Sequence, residues 1–187
     1  MQAGLLTTSD LVPGGDGGPV MVLMTPGDTR LGNLDGILRA VLGSGRSAMM
    51  AGAWPARAAR EQLPLLQGAG AFVVSYGPAM ALLPLTRPGK LVVELVPHGL
   101  PATGSPFARV AAAAGHRYVA YAAAANETFA PPGCAGAAHC GLRWGAACDA
   151  AARCLGVAVD PARLLALLSL PPPPPAPVLA MKRRLLF

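Results

Sequence analysis

The chain has 187 residues, with 15 Lys and Arg against 9 Asp and Glu for a formal charge of +6, and 53% of it is apolar. That length and apolar content suit one core-forming domain and argue against global disorder, although 23 Gly and 20 Pro beside abundant Ala make composition a weak guide beyond this. The basic residues stand singly except at Lys182-Arg183-Arg184, no run of about 18 apolar residues occurs, and no basic and apolar leader follows Met1, so nucleic-acid binding, a membrane span and a self-carried export signal are not expected.

Residues 1–19, rich in Gly and Pro, read as a flexible lead-in. Val20–Met24 is a short apolar run with the turn formers TPGD behind it, the pattern of a buried parallel strand. Leu34, Ile37, Leu38, Val41 and Leu42 then recur at helical spacing up to Gly43 and predict an amphipathic helix. A second strand is expected within Ser47–Ala53. A helix is expected over Ala56–Gln67, kinked or split at Pro64. Strands follow at Ala71–Ser75, Leu91–Val96 and Tyr118–Ala122, with a helical turn at Ala79–Leu83 and a helix at Phe107–Ala114 that ends at Gly115. Beyond Asn126 come an insert containing cysteines over 130–155, a helix within Gly145–Leu155, and a last helix in which Asp160 caps, Pro161 takes the first position and Leu164, Leu165, Leu167 and Leu168 face inward. Pro171–Pro175 forces a polyproline spacer, so the domain spans 20–170 and 171–187 is spacer and tail.

Apolar strands alternating with helices mean βαβ units: an α/β fold with a Rossmann-like parallel sheet covered by helices on both faces. On such a sheet ligands bind at the carboxyl ends of the strands. Arg30 follows the first strand in TPGDTR and therefore falls at that edge, either as a clamp on an anionic group or as a solvated cation. Glu94 sits inside the apolar strand LVVELV, where an ionised carboxylate is costly unless paired. It is expected either to reach a cleft or to form a buried salt bridge with Arg87 or Arg109. Asn33 suits a helix cap. His98 and His116 each stand alone. The four cysteines, Cys134, Cys140, Cys148 and Cys154, lack the close pairs of a structural zinc site. They fit two disulfides in an oxidising compartment, with three pairings open, or free thiols in a reducing one.

Several stretches in order carry a resemblance: Thr29-Arg30-Leu31-Gly32-Asn33, then Arg60-Glu61-Gln62 with Leu65-Leu66, then Val73-Val74-Ser75-Tyr76-Gly77-Pro78-Ala79-Met80, then Arg87-Pro88-Gly89 through Glu94 to Pro97. In that order and spacing, over roughly residues 20–125 with a weaker echo at 156–168, the chain resembles the eukaryotic glycosyltransferases of family 61, which include plant xylosyl- and arabinosyltransferases and animal O-linked N-acetylglucosaminyltransferases. The resemblance implies the C-terminal half of a two-domain GT-B enzyme. Such an enzyme transfers a sugar from a UDP-sugar to a glycan or protein hydroxyl, with inversion, without metal or other cofactor, in the lumen of the Golgi or endoplasmic reticulum. It implies donor contacts at Arg30, Asn33, Gln62, Tyr76, Gly77, Ala79 and Glu94, the last through ribose hydroxyls. Tyr76 stands where the family has His, and Ala79 where it has the second Gly of its loop. The second reading is therefore a non-catalytic module that keeps the fold to bind a nucleotide or a partner.

Overall fold

The computed structural model describes residues 18–23, 31–51, 59–130, 151 and 153–170. Five strands, β1 (Val20–Leu23), β2 (Ala48–Ala51), β3 (Ala71–Ser75), β4 (Leu91–Val96) and β5 (Arg117–Ala122), form one sheet in the order β2-β1-β3-β4-β5. Every pairing is parallel. The connections are α1 (Leu34–Gly43), α2 (Ala59–Gly68), a 3-10 segment at Pro78–Leu85 and α3 (Pro106–Ala113), and α4 (Pro161–Leu168) closes the domain. The α/β, Rossmann-like class is observed, and the strand order is that of doubly wound sheets whose first connection turns one way and the rest the other.

β1 and β4 are buried along their whole length because both faces of the sheet are covered. On one face Val22, Val73, Val93 and Tyr121 pack with Ile37 and Val41 of α1 and with Leu164 and Leu168 of α4. On the other face Met21, Phe72, Val74 and Val92 pack with Leu66 of α2, with Met80 and Leu83 of the 3-10 segment, and with Ala111 of α3. Alternation along each strand thus feeds two separate cores.

Several boundaries match the sequence reading: β3 and β4 begin and end where expected, and Asp160 caps α4 by accepting the Ala162 N–H at 2.9 Å. Of the two outcomes expected at Pro64 the split does not occur: α2 runs through it as a single helix from Ala59, at the loss of one backbone bond. A small antiparallel pair, β6 (Thr128–Phe129) with β7 (Gly156–Val157), was not anticipated. Val157 also bridges Leu31, and Phe129 lies so close over Gly32 that a Cβ there would stand 2.8 Å from its ring. Residues 1–17, most of the insert and the polyproline tail lie outside the described residues. No helix among the described residues is long and apolar enough to cross a membrane.

Candidate functional site

A parallel sheet gathers the carboxyl ends of its strands and the starts of its helices at one edge, and the crevice opens where successive connections leave in opposite directions. Here β1 leads to β2 on one side and β3 leads to β4 on the other, so the switch lies between the ends of β1 and β3. The fold brings to this edge the start of α1 at Asn33, the first turn of α2 with Gln62, the segment Tyr76–Ala79 after β3, and the loop 97–105 after β4. Arg30, and with it the turn after β1, lies outside the described residues, as does the side chain of Gln62.

After β3 the chain enters the 3-10 segment through Gly77, whose backbone is extended (φ 162°) and needs no glycine for conformational reasons. Tyr76 is 7% exposed and packs edge-on against Phe107 at the start of α3, with ring centroids 4.8 Å apart. Ala79 turns into the core on the α3 side. Of the three residues expected to lie under a sugar phosphate, Tyr76 and Ala79 therefore spend their side chains on packing. Gly77 between them is buried as well.

Asn33 stands at the N-cap position of α1 but its side chain makes no cap bond. Instead its Nδ2 donates to the Val159 carbonyl at 2.6 Å and its Oδ1 accepts the Val159 N–H at 2.8 Å. The amide thus pairs with both backbone groups of a residue 126 positions away and ties the start of α1 to the lead-in of α4. This corrects the cap expectation, and it commits both polar ends of the side chain to the fold.

Glu94 is fully buried, at 0% exposure, on the α3 face of β4. Neither expected arginine reaches it, for Arg87 and Arg109 are both exposed. Two hydroxyls take their place: Ser105 Oγ donates to Oε1 at 3.1 Å, and Tyr118 of β5 donates to Oε2 at 2.6 Å. Burial drives the Glu94 carboxyl above its ordinary value, while the two hydroxyl donors pull the other way without offsetting it. The Tyr118 hydroxyl is likewise pushed up, by desolvation and by the neighbouring carboxylate. In this arrangement neither oxygen is open to solvent, so a ribose contact requires one of the hydroxyls to give way.

Three further residues carry polar chemistry, of which the sequence singled out His116 alone. Ser105 is itself fully buried and caps α3, accepting the Phe107 N–H at 3.2 Å; the Ser-Pro pair at 105–106 was the available signal. Thr86 and His116 meet on the α3 side, where Thr86 donates to the Leu83 carbonyl and His116 Nε2 lies 2.8 Å from Thr86 Oγ1 and 3.1 Å from that carbonyl. A bond to a carbonyl requires Nε2 to carry the proton, and Nδ1 is buried with no hydrogen-bond partner among the described residues. His98, by contrast, is exposed on the loop after β4, its backbone N–H held by Thr128 Oγ1 at 2.7 Å.

On the opposite face, at the end of β5, Glu127 accepts from the Tyr121 hydroxyl (2.8 Å), the Ala124 N–H (2.8 Å) and Arg163 (2.7 Å). Arg163 also lies 4.5 Å over the Tyr121 ring, and the Tyr121 hydroxyl accepts the Asp160 N–H at 2.8 Å. Every polar group of this cluster has a partner, and it clamps β5 to α4. Cys154 is disulfide-bonded; the other three cysteines lie outside the described residues.

No protein-family model matches the chain, and no curated protein matches its sequence.

Proposed function

We propose that this chain is the donor-binding domain of a two-domain GT-B glycosyltransferase. It binds the nucleotide of a UDP-sugar in the crevice between the carboxyl ends of β1 and β3, for transfer to a glycan or protein hydroxyl with inversion and without metal. The observation that carries the reading is one of placement. Tyr76–Ala79, one of the segments that carry the resemblance, follows β3 at the switch point where doubly wound sheets take their ligands. Arg30, following β1, supplies a cation for the diphosphate. The acceptor base comes from the other half of such an enzyme. A lumenal compartment accords with the disulfide at Cys154.

The second reading, a non-catalytic binding module, draws on Tyr76. Where the family has His, this chain has a ring packed against Phe107 and so withheld from the crevice. Titration calorimetry with UDP tests both: heat that Arg30→Ala abolishes supports nucleotide binding at this edge, and no heat at millimolar UDP removes both readings. If UDP binds, slow hydrolysis of a UDP-sugar that rises in Tyr76→Cys or Tyr76→His marks an enzyme, and none in any variant marks the module.

A further inference from the structure

We infer that the opposite edge of the sheet, where the strands begin, is a surface that seats the chain on an anionic lipid bilayer. It is built from the residues that lead into β2, β4 and β5 and from the ends of α1, α4 and the 3-10 segment, all of which return to this edge.

Hydrogen bonds join these pieces into one continuous rim. Arg46, just before β2, gives its backbone N–H to the Val41 carbonyl of α1 at 3.3 Å and its guanidinium to the Leu168 carbonyl at the end of α4 at 3.0 Å. Two residues on, the Leu170 carbonyl accepts from the Arg117 guanidinium at the start of β5, at 3.4 Å. The Arg117 N–H goes to the Lys90 carbonyl before β4, and the Gly89 N–H to the Gly115 carbonyl after α3, each at 2.8 Å. These bonds fix the turn that carries Arg87, and the Thr86 hydroxyl beside it lies 2.8 Å from His116 Nε2.

Four cations therefore share the rim, Arg46, Arg87, Lys90 and Arg117, and no acid among the described residues does. Asp35 and Asp160 stand at the starts of α1 and α4, at the carboxyl edge; Glu127 is paired with Arg163, and Glu94 is buried. Offsetting the negative end of the α4 dipole accounts for part of this charge. Arg46 and Arg117 each give one N–H to that task, of the five a guanidinium carries. Arg87 and Lys90 give none, for their side chains have no partner among the described residues. Between the cations stand Leu42, Leu85 and Leu170, 48%, 54% and 44% exposed, three of the four large apolar residues exposed among the described residues.

Cations interleaved with exposed leucines match an anionic membrane interface, where head-group charge meets Arg and Lys while the apolar side chains enter the acyl boundary. A nucleic acid or another aqueous polyanion satisfies the cations and leaves the leucines in water. Five strand starts about 4.8 Å apart spread the rim over about 20 Å, more than a small anion can bridge. The sequence that continues from this edge after Leu170 repeats its chemistry in Met181-Lys182-Arg183-Arg184-Leu185-Leu186-Phe187, and weak contacts add when they share one bilayer. The surface stands whether or not the crevice at the other edge binds a nucleotide.

Co-sedimentation of the full chain with phosphatidylcholine vesicles, with and without phosphatidylserine, tests it. The wild type partitions onto the phosphatidylserine vesicles and comes off as salt rises. Arg87→Ala with Lys90→Ala, in an exposed turn, weakens that partition about 25-fold, roughly fivefold for each cation. Leu85→Ser with Leu170→Ser weakens it about tenfold. Arg39→Ala with Arg109→Ala removes as much charge from exposed helix positions outside the rim and leaves it unchanged. Equal partition onto both kinds of vesicle, or equal losses from the two cation pairs, overturns the surface. Undiminished partition in both rim variants places the binding elsewhere in the chain and overturns it as well. A loss from the rim cations alone, with the leucine variant binding as the wild type does, marks a site for an aqueous polyanion and overturns the bilayer as its occupant. UDP titration of the same variants reads the nucleotide site separately.

Discussion

β5 offers one tyrosine to each face of the sheet, and each finds a glutamate. Tyr118 meets Glu94 on the α3 side and Tyr121 meets Glu127 on the α4 side. Chemically the pairs are alike, yet their titration runs in opposite directions. Glu94 has two hydroxyl donors, no exposure and no cation among the described residues, and burial lifts its carboxyl. Glu127 is also desolvated, but the Ala124 N–H, the Tyr121 hydroxyl and Arg163 together outweigh that and hold it below the ordinary range. Tyr121 is pushed up to about 12, by desolvation first and by Glu127 second. A charged acceptor is thus stabilised by a backbone N–H and a guanidinium near the surface, and is left poised by hydroxyls in the interior.

Removing Glu94 should give the largest effect. Glu94→Ala leaves two buried hydroxyls without their acceptor and opens a cavity, so urea unfolding should show a loss of about 3 kcal/mol. A gain in stability would break the comparison, by showing that the buried acid is held at the fold's expense. Next, Tyr118→Phe and Tyr121→Phe should each cost about 1–2 kcal/mol in the same measurement, Tyr121 the more because its hydroxyl also serves the Asp160 N–H. Equal costs would mean that this second bond adds nothing.

The sharpest contrast lies in pH. Glu94 titrates above its unfolded value, so its favourable contribution relative to Glu94→Gln is complete below that value and disappears as pH rises through the folded one. Glu127 titrates below its unfolded value, so its advantage over Glu127→Gln is present above that value and fades as pH falls through the folded one. Stability differences measured against pH should slope in opposite senses; slopes of one sign would erase the distinction. The smallest effect belongs to Arg163→Ala. Its side chain is 47% exposed, and screening limits the ion pair to about 0.5 kcal/mol, reduced further by added salt.

Much of the scaffold was legible because it depends on local pattern. AFVVS and LVVELV are apolar runs bounded by Gly, Pro or Lys, and a strand has nowhere else to begin or end. Asp160-Pro161 announces a helix start whatever surrounds it. The candidate site was only half visible. That Glu94 required explanation followed from the cost of a buried charge, but its partners did not. The β4–β5 register sets Ala120 beside Glu94 and so brings Tyr118 to it on the diagonal, and the cap of α3 returns Ser105 from 11 residues downstream. Asn33 was read as a local cap, whereas its amide is used by the backbone N–H and carbonyl of Val159 on a distant loop. β6 and β7, two residues each, carry too little pattern to be seen at all.

The sequence by itself determined that this chain builds a parallel sheet between two layers of helices, that its carboxyl edge carries Tyr76–Ala79, and that one acid sits within an apolar strand. Only the tertiary structure decided what that acid touches and which polar side chains serve the fold. Periodicity assigns a residue to a face of its own strand, but the groups opposite it are contributed by other elements whose register and docking are set by the packing of the whole domain.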